Sequence, residues 1–391
     1  MNSIDIKGIL KKNTMVIVLL VVYVFFTIMT SGSMFLPSNF TALITQNAYV
    51  FVLGVGMLMC MLTGGNIDLS CGSFICLLGA VAGVFSVLNK LSTPLSIVLV
   101  VLIGIAYGVI LGYLIAFLNI PPWIATLAGY LAFRGAGTEI LTSVSDTSAI
   151  SGFPDSFLNI FSGQLFRTPS GQLNIVCLVV GIAAAAVTVF MNFRARSRKL
   201  KKGYEADAFI IVLVKSIVEA ALIILVTVKL ALDGGLPTVL VWIIVIMLIY
   251  GFITEKTTIG RHFLTVGGSS ETARLSGINN KLVMFGAYLN MAVLTVIAAL
   301  MVTSRFKAAN STAGTNFEMD AISACVVGGV SAYGGAGTVF GMAIGATLIG
   351  VINLGMSLMG IDQNWQKVVK GAVLLAAVVF DIWTKKGNNK K

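Results

Sequence analysis

The chain has 391 residues, of which 57% are hydrophobic and only 10% charged, and its mean hydropathy is +0.98. An average soluble domain carries roughly 25% charged residues, so these values exclude a large soluble domain and define a polytopic membrane protein. The net charge of +11 does not mark a nucleic-acid partner, because the basic residues stand in short blocks at the ends of apolar runs instead of on a soluble basic surface.

In chain order, apolar runs of spanning length are expected at 14–31, 42–63, 71–88, 94–118, 122–140, 173–193, 209–230, 237–254, 282–303, 320–333, 338–358 and 365–383. This is an all-α polytopic membrane fold of about twelve transmembrane segments, ten at the fewest, with glycine-broken helices. The whole chain, 1–391, reads as a single membrane domain. The first run follows Lys7, Lys11 and Lys12 without a convincing cleavage site, so it reads as a retained span.

Four basic blocks hold most of the 26 Lys and Arg: the N-terminal lysines, Arg194–Lys202, Lys256–Lys281 and Lys385–Lys391. Twelve crossings place all four on one side, which the positive-inside rule makes the cytoplasm, with both termini there. The run at 320–333 is short and glycine-flanked, as a half-span that dips in and breaks would be. Counting it as a crossing keeps the lysine-rich C-terminus inside. The stretches Leu141–Gln172 and Ser304–Met319 are then external, placed to meet a partner.

Within the spans, Gly104, Gly108 and Gly112 recur every four residues, as do Gly337, Gly341 and Gly345, and each set is expected to line one helical face for close packing. The five cysteines, Cys60, Cys71, Cys76, Cys177 and Cys325, lack metal-ligand spacing and read as packing residues. Gln46, Asn47, Asn290 and Asn353 are polar residues expected to pair between helices. Lys215 and Glu219 stand four apart on one helical face, and Lys229 is placed to snorkel to an interface.

An aspartate at the centre of a bilayer costs roughly 2.5–3.5 kcal/mol on insertion scales, so Asp68, set among glycines between two apolar runs, needs a protein-lined surrounding. Two roles fit it. It caps the helix that begins near Leu69 or Ser70, or it contacts a polar substrate. The phrase holding Gly64, Gly65, Asn66, Asp68 and Ser70 has a later counterpart holding Gly334 and Gly335, with Gly-Gly, a short polar piece, an apolar stretch and Gly-Ala in both. Broken helices at corresponding positions of two halves point to a transport path.

The segment 260–281 reads as a loop, a short helix over about Glu271–Ser276 and a turn. Gly267 and Gly268 break the chain, Ser269 or Ser270 caps, and Gly277 suits the left-handed end. So short a helix is unstable alone in water and must dock. This stretch resembles the coupling loop of ATP-binding-cassette (ABC) importer permeases, whose sugar branch reads close to Gly-Gly-Asn-x-Glu-Ala-Ala-Arg-Leu-Ser-Gly-Ile. Glu271, Ala273, Arg274, Leu275, Ser276, Gly277 and Ile278 match, and Thr272 replaces an alanine. The Gly64–Ser70 phrase is similar to the same family's Gly-Gly-x-Ile-Asp-Leu-Ser, and Asn364–Asp381 resembles its closing span.

The chain is longer than the ribose-type permeases, with an extra basic loop and span over 194–235, which makes it similar to the xylose and multiple-monosaccharide permeases. The resemblance implies a multi-pass subunit of the bacterial plasma membrane that forms the path for a monosaccharide. Its implied partners are a second permease copy, a separate ATPase held at Glu271, Thr272, Ala273, Arg274 and Gly277, and an external sugar-binding protein. No phosphate-loop motif occurs, so ATP hydrolysis is expected in the partner, with no cofactor, metal or catalytic residue here.

Two rivals remain. An ion-coupled secondary transporter of a small polar solute would need paired ionisable groups at mid-membrane, and the candidates, Arg134 with Glu139, Asp320, and Lys367 with Lys370, are all expected near span edges. An intramembrane enzyme would need more than the lone His262 or an Asp68 whose partner, Asp320, is expected on the other side.

Overall fold

The computed structural model describes residues 14–169, 172–204 and 208–388, and helices make up nearly all of its regular structure. The basic groups at Lys7, Lys11, Lys12, Lys390 and Lys391 lie outside the described residues. α1 (Thr14–Met29) leads through a 3-10 turn to α2 (Pro37–Gln46), whose Pro37 sits at the first helical position, where its missing N–H costs nothing. A kink at Asn47 separates α2 from α3 (Ala48–Leu62). After the break come α4 (Cys71–Gly83), prolonged by a π turn to Leu88, then α5 (Thr93–Ala116) and α6 (Pro122–Val144).

β1 (Ala149–Ser151), α7 (Asp155–Ser162) and β2 (Gln164–Leu165) precede the long pair α8 (Ile175–Lys201) and α9 (Phe209–Leu232). β3 (Leu236–Pro237) opens α10 (Thr238–Lys256). α11 (Thr258–Gly268), α12 (Ser270–Leu275) and α13 (Asn280–Phe306) follow. β4 (Ala308–Asn310), α14 (Phe317–Val327), α15 (Val339–Leu358) and α16 (Gln363–Asn388) complete the chain.

All twelve expected segments contain a helix. Among the described residues, eight helical runs are long and apolar enough to cross a bilayer, with α2 and α3 counted as one. Of the other four, α1 has 16 residues and α14 has 11, α6 carries Arg134 and Glu139, and α16 carries Lys367 and Lys370. α13, at 27 residues, runs about 40 Å. It begins beside α12, at what is called here the coupling end, and finishes at the far end.

α3, α4, α13, α14 and α15 pack against one another in the centre, and α3 is buried along nearly its whole length. The Gly104, Gly108 and Gly112 stripe faces α13 as expected: a Cβ at Gly104 would fall 2.0 Å from Val296 and one at Gly112 2.9 Å from Phe285. The second stripe is shorter than expected, because α15 starts at Val339 and leaves Gly337 ahead of it. Gly341 and Gly345 do press on α14, with ideal Cβ positions 2.3 Å from the Gly328 carbonyl and 2.0 Å from that of Ala324. All five cysteines are buried and unbridged, in keeping with packing. α8 and α9 pair with each other and touch the bundle mainly through α2, so the expected additional region is peripheral.

The run expected at 320–333 is a half-helix. From Phe306 the chain pairs β4 with β1 at the far end, Ala149 opposite Asn310, and then passes through a series of tight turns over 311–316 beside α4. Arg134 holds these turns by donating from Nη1 to the carbonyls of Ser311 at 2.9 Å and Ala313 at 2.8 Å. Gly314 reaches Gly72, and only there does α14 begin. This stretch is therefore a series of turns followed by 11 helical residues, and part of Ser304–Met319, expected to be external, packs inside the bundle against α4. Non-helical backbone at this depth is tolerated because protein surrounds it and supplies its hydrogen bonds.

Candidate functional site

The first break follows Leu62. Thr63 N and Gly65 N close on the carbonyls of Cys60 and Met61, and Gly64 and Gly65 take φ of +116° and +74°, values that glycine adopts without a Cβ clash. Asn66 Nδ2 folds back onto the Thr63 carbonyl at 3.1 Å. Asp68 is 1% exposed, and its Oδ1 accepts from Ser70 N at 2.8 Å and Ser70 Oγ at 2.6 Å. Ser70 Oγ also meets the Tyr107 hydroxyl at 2.7 Å, and the Tyr288 hydroxyl donates to the Ile67 carbonyl. The carboxylate thus sits in a closed polar turn just ahead of α4.

The second break follows Val327. Ser331 accepts at its carbonyl from Gly334 N, and its backbone N–H donates to Ala336, so the chain turns tightly with Gly334 and Gly335 at φ +88° and +71°. The two breaks touch. A Cβ on Gly65 would lie 2.0 Å from the Ala332 carbonyl oxygen, and one on Gly334 would lie 2.4 Å from the Gly64 Cα.

The coupling segment joins them. Residues 260–268 were expected as loop but belong to α11, because buried Gly260, Phe263 and Val266 pack that face in spite of three glycines. Ser269 caps α12, accepting from Thr272 N at 3.2 Å, and Gly277 ends it in the left-handed conformation at φ +79°. Ala273 is fully buried, so it anchors the helix inward and offers nothing outward. Glu271 and Arg274 pair at 2.6 Å with their side chains 67% and 66% exposed, and Leu275 is 75% exposed. At the other side of this segment Gly267 is pressed so closely that a Cβ would lie 1.7 Å from the Leu62 carbonyl oxygen and 2.6 Å from Gly335 N. Gly335 N itself donates to that Leu62 carbonyl at 3.2 Å. Both breaks and the coupling segment therefore meet backbone to backbone at one junction.

Several charged residues stand elsewhere than expected. Asp320, expected at an edge, is buried, with Oδ1 2.9 Å from Lys370 Nζ and Oδ2 accepting from the Tyr49 hydroxyl at 2.6 Å. Lys367 is separate, beside Asn364. Glu318, not singled out from sequence, is buried against Gly72 with Oε2 unpartnered. Lys215 and Glu219 pair at 3.8 Å as expected, and Lys229 donates to the Phe35 carbonyl. Among the four polar span residues, Asn353 pairs with Asn47 and Asn290 with Tyr250 across helices, whereas the Gln46 side chain has no hydrogen-bond partner among the described residues and lines a cavity. Among the described residues no cluster of three His, Cys, Asp or Glu could hold a metal.

A bundle of apolar helices with two touching glycine breaks, packed backbone to backbone against the segment that carries a short capped helix, is an all-α polytopic membrane fold of the permease kind. Residues 39–378 match the family described as branched-chain amino acid transport system / permease component. The chain belongs to this family. It is 34% identical over 381 residues to the xylose transport system permease protein XylH of Haemophilus influenzae, covering 95% of this chain and 96% of that one. The Escherichia coli K12 counterpart is also 34% identical, with coverages of 95% and 92%. The galactose/methyl galactoside import permease protein MglC of Haemophilus influenzae is 26% identical, covering 88% of this chain and 86% of that one. No solved structure matches the chain.

Proposed function

We propose that this protein is the membrane-spanning permease subunit of an ATP-driven importer of monosaccharides, with xylose the first substrate to test. Identity of 34% along 95% of the chain to a xylose permease supports the substrate class. The observation that carries the mechanism is the three-way backbone junction of Gly267 with Leu62 and Gly335.

The coupling end faces the cytoplasm in this reading, with both termini, the Arg194–Lys202 block and α12 on that side. A separate ATPase grips Glu271, Thr272, Arg274 and Leu275, while Ala273 and Gly277 shape the helix for that grip. A sugar-binding protein meets the far end, and a second copy of the chain completes the path. Displacement of α11 and α12 by the ATPase moves Leu62 and Gly335 together, because close-packed backbone cannot slide past itself without a discrete rearrangement. Gly64, Gly65, Asn66, Asp68, Ser70, Gly334 and Gly335 form the breaks whose relative position changes. Nothing in this chain performs the hydrolysis.

The buried Asp320–Lys370 pair is the kind of ionisable pair an ion-coupled transporter would use, but Arg134 is committed to carbonyls, and the 34% identity to a xylose transport system permease favours the ATP-driven reading. Uptake of labelled xylose in cells expressing the importer decides between them. The proposal expects uptake to stop on ATP depletion and to survive collapse of the ion gradients, and the reverse pattern overturns it.

A further inference from the structure

At the far end, α2, α3, α7, α10 and α13 line a partly open cavity of about 250 Å³. Drug-sized ligands occupy roughly 300–1,000 Å³, so this space suits a smaller solute. Its lining combines Thr45, Gln46, Tyr49, Phe161, Arg305 and Lys307. The hydrogen bonds already made by these groups reveal what is left over. The Tyr49 proton is committed to Asp320 Oδ2 at 2.6 Å, and that carboxylate is fixed in turn by Lys370 at 2.9 Å, so the Tyr49 oxygen is oriented but keeps its lone pairs. The Thr45 hydroxyl donates to the Thr41 carbonyl at 3.0 Å, which likewise leaves an acceptor.

Gln46 and Arg305 are both half-buried, and neither side chain makes a hydrogen bond or ion pair to any described residue; the Arg305 guanidinium lies 5.1 Å from the Phe306 ring centroid and within electrostatic reach of Tyr49. The polar atoms of both side chains stay open to water, so both are free to donate to a solute. These two border a partly open cavity that also offers fixed acceptors and an aromatic ring. Such a set matches a molecule whose hydroxyls both donate and accept and whose C–H face is apolar. An anion would satisfy Arg305 and Lys307 and leave the Tyr49 and Thr45 oxygens without a donor.

We propose that this cavity is a monosaccharide subsite at the outer mouth of the path, in which Gln46 and Arg305 donate to sugar hydroxyls, Tyr49 and Thr45 accept from them, and Phe161 covers the ring's apolar face. The assignment rests on the monosaccharide-importer reading above. The Asp320–Lys370 pair is then a positioning device for Tyr49, which explains why an ion pair is retained at this depth.

The test uses the whole importer, permease with its ATPase and binding protein, in proteoliposomes with radiolabelled xylose and galactose as probes. Gln46→Ala and Arg305→Gln are expected to lower sugar moved per ATP hydrolysed at least tenfold and to shift the xylose-to-galactose ratio. ATPase stimulation by the loaded binding protein should stay within twofold of wild type, a separation that a general structural defect would not give. If Arg305→Gln fails to assemble, Gln46→Ala alone decides. Sugar moved per ATP within twofold of wild type, with an unchanged ratio, overturns the subsite. A wild-type complex that moves neither sugar overturns instead the functional reading on which it rests.

Discussion

At Asp68 a single carboxylate oxygen accepts two hydrogen bonds from Ser70, one from its backbone and one from its hydroxyl. Asparagine keeps an oxygen at that place and alanine does not. Loss of a cap of this kind costs about 0.5–2 kcal/mol. Asp68→Asn should therefore unfold in detergent close to wild type and transport normally, while Asp68→Ala should unfold earlier and transport poorly; equal behaviour of the two would remove the capping role. The Asp320–Lys370 pair invites a second comparison. Removing one partner of a buried pair costs about 3–5 kcal/mol, whereas replacing both with apolar or neutral groups costs far less. Lys370→Met alone should lower thermal stability more than Asp320→Asn combined with Lys370→Met, measured on the same purified protein. The positions of Asp68 and of the capping Ser269 were readable from local sequence, since a cap acts within three residues. The pairing of Asp320 with Lys370, and the cavity lining by Gln46 and Arg305, were not, because they join residues far apart in the chain whose depth depends on where a helix begins.

Among the elements, the two breaks and α11 depend on backbones meeting at glycines. Gly267 and Gly268 form a natural control pair: a Cβ on the first would lie 1.7 Å from the Leu62 carbonyl, and one on the second meets nothing within 4 Å. Gly267→Ala should abolish xylose uptake or displace the junction, and Gly268→Ala should retain at least half of it at equal expression. Equal uptake by both would separate the junction from transport. The sequence displayed the break after Leu62 and its later counterpart, because glycine pairs between apolar runs are local signals. It also marked α12 by its cap and its left-handed end. It misplaced α11, where three glycines depress helix propensity and tertiary packing of Phe263 and Val266 outweighs them. It also hid the half-length of α14. The turns before that helix are held by partners contributed from elsewhere, namely Arg134 and the β1 strand.

For the molecule as a whole, the consequence is mechanical. The central helices form one buried core from the junction to the Tyr49–Asp320 level, so a displacement at α12 reaches both breaks through packed backbone. α8 and α9 stand apart from that route with a small cluster of their own around Cys177, Leu230 and Ala231, so variation there should alter insertion more than coupling. The central claim is that a partner ATPase works the permease by gripping α12. The direct measurement is the amount of ATPase that copurifies with the tagged permease from solubilised membranes, read beside xylose uptake in the same cells. The account predicts that Glu271→Lys and Leu275→Asp each reduce bound ATPase and uptake at least tenfold while the amount of permease in the membrane is unchanged. Variants that retain the ATPase and import xylose at the wild-type rate would contradict it.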